Sequence, residues 1–151
     1  MAYEFRIVRR VEFSDTDMAG IVHYSNFFRY MEAAEHAFFR SLGLSIVTRQ
    51  VEPPVGWPRV HAECDFLEPL RFEDEVEVHL LVAEKKPRSL TYQFRFRKLN
   101  AAPPVEVARG RITVVCVTQR QGRMRATPIP KLIADQIQVA PAELLAVRRE
   151  R

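Results

Sequence analysis

Between Ser14 and Phe28 the chain reads SDTDMAGIVHYSNFF, placing two carboxylates, Asp15 and Asp17, and a glycine, Gly20, between a strand-like run and a helix-like one. A carboxylate just ahead of a helix can meet a carbonyl held by the free backbone N–H groups of the helix N-terminus, where the helix dipole favours developing negative charge. The chemistry this allows is acyl transfer. Asp17 fits it either as a nucleophile on the carbonyl carbon or as a general base on water. An aspartate ahead of a helix also serves as an Asx turn or N-cap, and spacing alone leaves that reading of Asp17 equally open. Asp15, two positions before it, reads as a turn or strand-end residue. Gly20 supplies backbone conformations closed to other residues, which lets the loop approach a substrate. His23 can orient Asp17 or water, or sit beside the site; Tyr24, Asn26 and Phe27 shape it and start the helix.

The elements that must position these residues are legible in the apolar pattern. From Tyr3 to Phe13 the odd positions Phe5, Ile7, Val11 and Phe13 are apolar against Glu4, Arg6, Arg10 and Glu12, the period of a half-buried strand, with Arg9 as the exception. Phe27, Met31, Ala34, Phe38 and Leu42 recur at helical spacing, Ala33 and Ala37 permit close approach of a sheet, and Gly43 stands where a helix C-cap favours glycine. On that helix Glu32, Glu35 and His36 fall on the face away from Phe27, Met31 and Phe38, and Glu32 and His36 are spaced to pair on its surface. Gln50 to Pro58, with three prolines and a glycine, is a loop. Three alternating strands follow, carrying Val60 to Phe66, Val76 to Val82 and Leu90 to Phe96, with His61 and His79 opposite the apolar residues. A last strand runs from about Val105 to Gln119, where Gly110 marks a bulge or a close contact with the helix. Beyond Thr127, helix-like pieces span Lys131 to Gln138 and Pro141 to Arg149, and the RRER end is solvated. One strand, one helix and four more strands predict an α+β domain, a single antiparallel sheet burying one helix.

At 151 residues one domain is expected, large enough to bury a core without disulfides or metal. The net charge of +4 is dispersed, which disfavours a nucleic-acid module and suits a phosphate-bearing ligand. Cys64 and Cys116 lie in strand-like alternation with no partner at metal-ligand spacing, so they read as buried free thiols in a reducing compartment. No apolar run approaches the length of a membrane span, and the reading is of a soluble cytoplasmic protein. Lys85, Lys86, Arg88 and Ser89 form a basic turn ahead of a strand, fit for phosphates or for solvation alone.

The stretch Asp15, Asp17, Gly20, Ile21, Val22, His23, Tyr24 and Asn26 resembles the signature of hotdog-fold acyl-CoA thioesterases of the 4-hydroxybenzoyl-CoA thioesterase type, Asp-x-Asp-x-x-Gly-[Ile/Val]-Val followed by aromatic or His residues and a helix. The later strands are similar too, so the likeness covers residues 3–119 and leaves a C-terminal tail with short helices over 128–151. The resemblance implies a hotdog fold, a five-stranded antiparallel sheet wrapped around one long helix, assembled as a homodimer or homotetramer with active sites between subunits. It implies hydrolysis of an acyl-CoA thioester to a carboxylic acid and coenzyme A without a metal or redox cofactor. Asp17 takes the family's catalytic carboxylate position, the Tyr24 N–H that of the oxyanion donor, and Gly20 and His23 positioning roles. Lys85, Lys86, Arg88 and Ser89 would meet the phosphates of coenzyme A, or an acidic acyl carrier protein in their place. This chain carries His23-Tyr24 where many relatives have the order Tyr-His. A further branch of the fold places its catalytic carboxylate on the helix, which makes Glu32 or Glu35 the rival candidate, and a non-catalytic acyl-thioester binding protein is the alternative from another class.

Overall fold

The computed structural model describes residues 1–146, so the RRER end and the last residues of the second tail piece lie outside the described residues. Strand β1 (Glu4–Arg10) leads through a 3₁₀ turn (Phe13–Asp15) into helix α1 (Ser25–Ser41). Strands β2 (Arg59–Phe66), β3 (Glu75–Lys85), β4 (Ser89–Lys98) and β5 (Val105–Val115) follow, then a hairpin of β6 (Val117–Arg120) and β7 (Arg123–Ala126) and two short helices, α2 (Lys131–Ala134) and α3 (Ala142–Leu145). The first five strands form one sheet in the order β1-β3-β4-β5-β2, with every neighbouring pair antiparallel. This is the hotdog arrangement, one long helix held against a five-stranded sheet.

The period-two pattern becomes register. Phe5 pairs with Leu80, Leu80 with Phe94, Phe94 with Gly110 and Gly110 with Cys64, a row crossing all five strands on the helix side. Above it, Phe27, Met31, Ala34 and Phe38 of α1 are buried against Val78, Leu80, Tyr92 and Phe94. Gly110 is the contact point: a Cβ there would lie 2.3 Å from Met31 Cε and 2.6 Å from its Sδ, so the missing side chain is what lets the helix close on the sheet. At its far end α1 stops in a Schellman motif, with Gly43 at φ 75°, Gly43 N–H donating to Arg40 O and Leu44 N–H to Phe39 O, both 3.0 Å.

The structure departs from the sequence pattern in four places. Phe13 is not strand-buried; β1 ends at Arg10, and Phe13 stays 77 % exposed, its ring edge-on to Phe72. Arg9, the exception in the alternation, faces the helix side at the sheet edge and places its guanidinium 5.8 Å from the Tyr30 ring centroid. The last strand breaks at Cys116, whose N–H leaves the sheet to donate to Arg88 O, and the chain then makes a hairpin turned by Gln121 and Gly122, both at positive φ. The tail helices are shorter than their pattern, because α2 ends at Ala134 and the chain runs on beside the N-terminus, with Gln138 N–H donating to Ala2 O and Ala140 N–H to Val82 O.

Candidate active site

The loop before α1 is a closed hairpin. Asp17 N–H donates to Ile21 O and Gly20 N–H returns to Asp17 O, both 2.9 Å, with Gly20 at φ 79°, where a side chain would be strained. Asp17 Oδ1 accepts the Ala19 N–H at 2.8 Å, so the Asx turn allowed by the sequence is made. It uses one carboxylate oxygen. Among the described residues Oδ2 has no intramolecular donor, and Asp17 is exposed on the wall of a cleft of about 530 Å³.

One wall of this cleft is Asp17, Ile21, Val22, Tyr24 and Phe27, and the other is the segment from Phe66 to Leu70 that follows β2. The walls are tied together by Val22 N–H donating to Leu70 O at 2.8 Å. Phe27 is the floor, its ring 5.1 Å from that of Phe66 and 5.3 Å from that of Phe96, both edge-on. At the head of α1 the N–H groups of Asn26 and Phe27 are taken by His23 O and Tyr24 O, and that of Ser25 by His23 Nδ1. The Tyr24 N–H has no acceptor among the described residues. Asp17, with a free carboxylate oxygen, and Tyr24, with an unused N–H at the helix start, therefore line one largely apolar cleft.

Asp15 points the other way and braces the site. Its carboxylate accepts the Glu12 N–H and the Tyr30 hydroxyl, both at 2.9 Å, and its carbonyl accepts the His23 N–H at 2.9 Å and the Asn26 Nδ2 at 2.8 Å. Burial, and then the Asp15 carboxylate, push the Tyr30 hydroxyl well above its ordinary pKa, so it remains a proton donor.

The structure does not bring His23 to Asp17. Its Nδ1 lies 2.7 Å from Ser25 Oγ and its ring stacks on Tyr24 at 4.6 Å, so it caps the start of α1 outside the cleft lining. Glu32 is exposed on α1, away from the cleft. Glu35 corrects the surface reading: it is 1 % exposed, and its two oxygens take Arg59 Nη2 at 2.5 Å and Nη1 at 3.3 Å. It sits ten residues into the helix from Ser25, about 15 Å along the axis, and does not line the cleft. Burial raises its pKa, and the Arg59 guanidinium offsets part of that rise.

The basic turn is remote as well. Asp17 lies by the start of β3, where Val11 N–H donates to Asp74 O, whereas Lys85 ends β3 ten residues beyond Glu75, roughly 33 Å of extended chain. Lys85 is committed, its Nζ donating to Ala134 O at 2.7 Å and Ile137 O at 2.8 Å at the end of α2. Ser89 closes the turn, with Lys86 N–H donating to its carbonyl at 2.9 Å. Lys86 and Arg88 are exposed, with no carboxylate partner among the described residues. The sequence reading missed a second cationic group, Arg120, Arg123 and Arg125 around the β6–β7 turn, which line one groove. The signal for it was the Gln121-Gly122 pair between short strands. Among the described residues no His, Cys, Asp and Glu cluster is arranged to hold a metal ion, and no helix is long and apolar enough to cross a membrane.

Residues 11–137 match the sequence model of the thioesterase-like superfamily. The chain is 26 % identical over 145 residues to a 4-hydroxybenzoyl-CoA thioesterase from Pseudomonas sp. (strain CBS-3), covering 92 % of this chain and 99 % of the relative. A putative esterase from Aquifex aeolicus is 37 % identical over 86 residues, 57 % of this chain and 66 % of that protein. Among solved structures, a 4-hydroxybenzoyl-CoA thioesterase mutant complexed with 4-hydroxybenzoyl-CoA superposes with a TM-score of 0.80 at 26 % identity, covering 88 % of this chain and 98 % of that one. A gentisyl-coenzyme A thioesterase superposes with a TM-score of 0.73 at 31 % identity over 86 % and 99 % of the two chains.

Proposed function

Because the chain belongs to the thioesterase-like superfamily, we propose that it hydrolyses an acyl-CoA thioester to a carboxylic acid and coenzyme A, with Asp17 as the reacting carboxylate. The observation that carries this is the shared cleft of Asp17 and the unused Tyr24 N–H at the head of α1. The thioester carbonyl oxygen accepts from the Tyr24 N–H, which stabilises the negative charge as the carbon becomes tetrahedral. Asp17 Oδ2 either attacks that carbon to give a mixed anhydride that water then opens, or takes a proton from the attacking water. In both routes the C–S bond breaks and the thiolate leaves to be protonated as coenzyme A. Gly20 keeps the loop close to the cleft, and Asp15 fixes its base.

Asp17→Asn keeps an oxygen for the Ala19 N–H and removes the base and nucleophile. Turnover of acyl-CoA is expected to drop by roughly a thousandfold with the melting temperature unchanged. A folded variant with most of its activity would end this assignment. Single-turnover hydrolysis in ¹⁸O-labelled water separates the routes, since label entering the Asp17 carboxylate requires the anhydride. Running one acyl group on coenzyme A and on a carrier protein identifies the thioester accepted.

The site is built between subunits of a dimer or tetramer. Strand β2 is a sheet edge exposed along most of its length, with Val60 at 62 % and Phe66 at 49 %, and edges of this kind call for pairing. Antiparallel pairing of β2 with its own copy brings the Arg59 end, where Val114 and Leu90 stand in register, to the Phe66 end of the partner. The start of β4 then lies three strand spacings from the partner's β2, about 14 Å, so Lys86 and Arg88 serve the other subunit's cleft and bind the nucleotide phosphates there. Light scattering at micromolar concentration tests the assembly; an active monomer would contradict it.

A further inference from the structure

We propose that Glu68 is a specificity-determining residue, an electrostatic filter that turns away acyl groups carrying a negative charge at their distal end. The inference rests on the hydrolase reading above and concerns the acyl group that cleft accepts. Of the cleft-lining residues only Asp17 and Glu68 are charged, both are acidic, and the others are apolar or aromatic. The backbone under Glu68 is fixed: Leu67 N–H and Glu68 N–H both donate to Val107 O, at 2.8 and 3.1 Å, Pro69 follows, and Leu70 O is clipped to the opposite wall by Val22 N–H. Its carboxylate has no hydrogen-bond or ion-pair partner among the described residues, so nothing in the wall neutralises it. The cation beside the loop, Arg71, has its Nη1 4.0 Å from where a Cβ on Gly20 would lie and is not in the lining.

Asp17 must meet the thioester carbonyl, so the wall from Phe66 to Leu70 faces the rest of the acyl group. A second negative charge there meets Glu68 across a partly solvated space. At about 6 Å and intermediate dielectric, like charges change affinity by about tenfold, and specificity built on repulsion needs no added contact to the accepted substrate.

The test is the ratio of kcat/KM for benzoyl-CoA to that for 4-carboxybenzoyl-CoA, which differ by one distal carboxylate. The wild-type ratio should fall about tenfold in Glu68→Gln and further in Glu68→Lys, mostly through KM for the charged substrate. Glu52→Gln, an exposed loop carboxylate outside the cleft, should leave the ratio where it is. Added salt should lower the wild-type ratio and have little effect on that of Glu68→Gln. Hydrolysis of benzoyl-CoA with the same ratio in wild type, Glu68→Gln and Glu68→Lys would overturn the filter and leave the hydrolase standing. Failure of the wild type to hydrolyse these two thioesters and every member of a panel of aliphatic and aryl acyl-CoAs would overturn the hydrolase reading, and the filter with it.

Discussion

Arg59→Met should expose how strongly the buried ion pair between helix and sheet edge is coupled to pH. Glu35 is 1 % exposed and held by both guanidinium nitrogens of Arg59, at 2.5 and 3.3 Å; His36 Nε2 is 4.0 Å from the same carboxylate on α1, and the buried Tyr92 hydroxyl of β4 is near it without closing a hydrogen bond. Methionine fills much of the arginine volume and leaves the carboxylate without its main counter-charge. Removing one partner of a buried pair costs about 3–5 kcal/mol, and at about 2–4 °C per kcal/mol for a chain of this size the melting temperature should fall by roughly 10 °C near neutral pH. The loss depends on pH in a definite direction. Glu35 already titrates above its ordinary 4.5 in the folded protein, so the folded state holds the proton more tightly than the unfolded one, and stability declines as pH rises through the folded pKa. Without Arg59 that pKa rises further, the decline extends to higher pH, and the difference between wild type and variant widens as pH climbs from the ordinary carboxylate range across the neutral range. Denaturant unfolding at fixed protein concentration across that range measures it. Glu35→Gln combined with Arg59→Met should be less damaging than Arg59→Met alone, because no buried charge remains. A difference that is flat with pH, or below about 1 kcal/mol throughout, would refute the account.

Alanine at Lys86 and Arg88 together should raise KM for acyl-CoA far more than it lowers kcat, an effect that shrinks with salt and is absent for a pantetheine thioester lacking the nucleotide. Lys85→Ala should lower the melting temperature instead, since Lys85 anchors the end of α2. Gly110→Val would drive a side chain into buried Met31 and should destabilise by about 1–3 kcal/mol, seen as a lower denaturant midpoint. Tyr30→Phe removes one donor to Asp15 and should cost about 1.5–3 kcal/mol by thermal unfolding.

The strands and the helix were legible because their apolar residues repeat at two and at about 3.6, and burial on one face is all that pattern needs to report. Glu35 was not, for the same reason. It lies four residues past Met31, on the inward side of α1, but its charge reads as surface and the cation that permits its burial is twenty-four residues away. The basic turn shows another limit: Lys85, Lys86 and Arg88 are adjacent in sequence, yet one is held by backbone carbonyls of the tail while two are open, a division set by where α2 docks. Distance along β3 also separates that turn from Asp17, which no local motif carries.

Asp15 and Asp17 show how two residues of one type at one spacing diverge. Asp15 ends the 3₁₀ turn Phe13–Asp15, whereas Thr16 is extended and bridges to Val22, so the two aspartates stand on differently shaped backbone. With Thr16 so paired, one carboxylate is directed into Tyr30 and the Glu12 backbone, where hydrogen bonds satisfy it, and the other is left at the cleft with an oxygen unused. The backbone of Asp15 adds to this bracing: Asp15 O accepts both the His23 N–H and the Asn26 side-chain amide, which ties the loop to the head of α1. A reacting carboxylate and an oxyanion donor must keep their separation while charge develops between them. The Asp-x-Asp spacing therefore supplies both the carboxylate proposed to react and, two residues before it, the residue whose hydrogen bonds tie the loop to the head of α1.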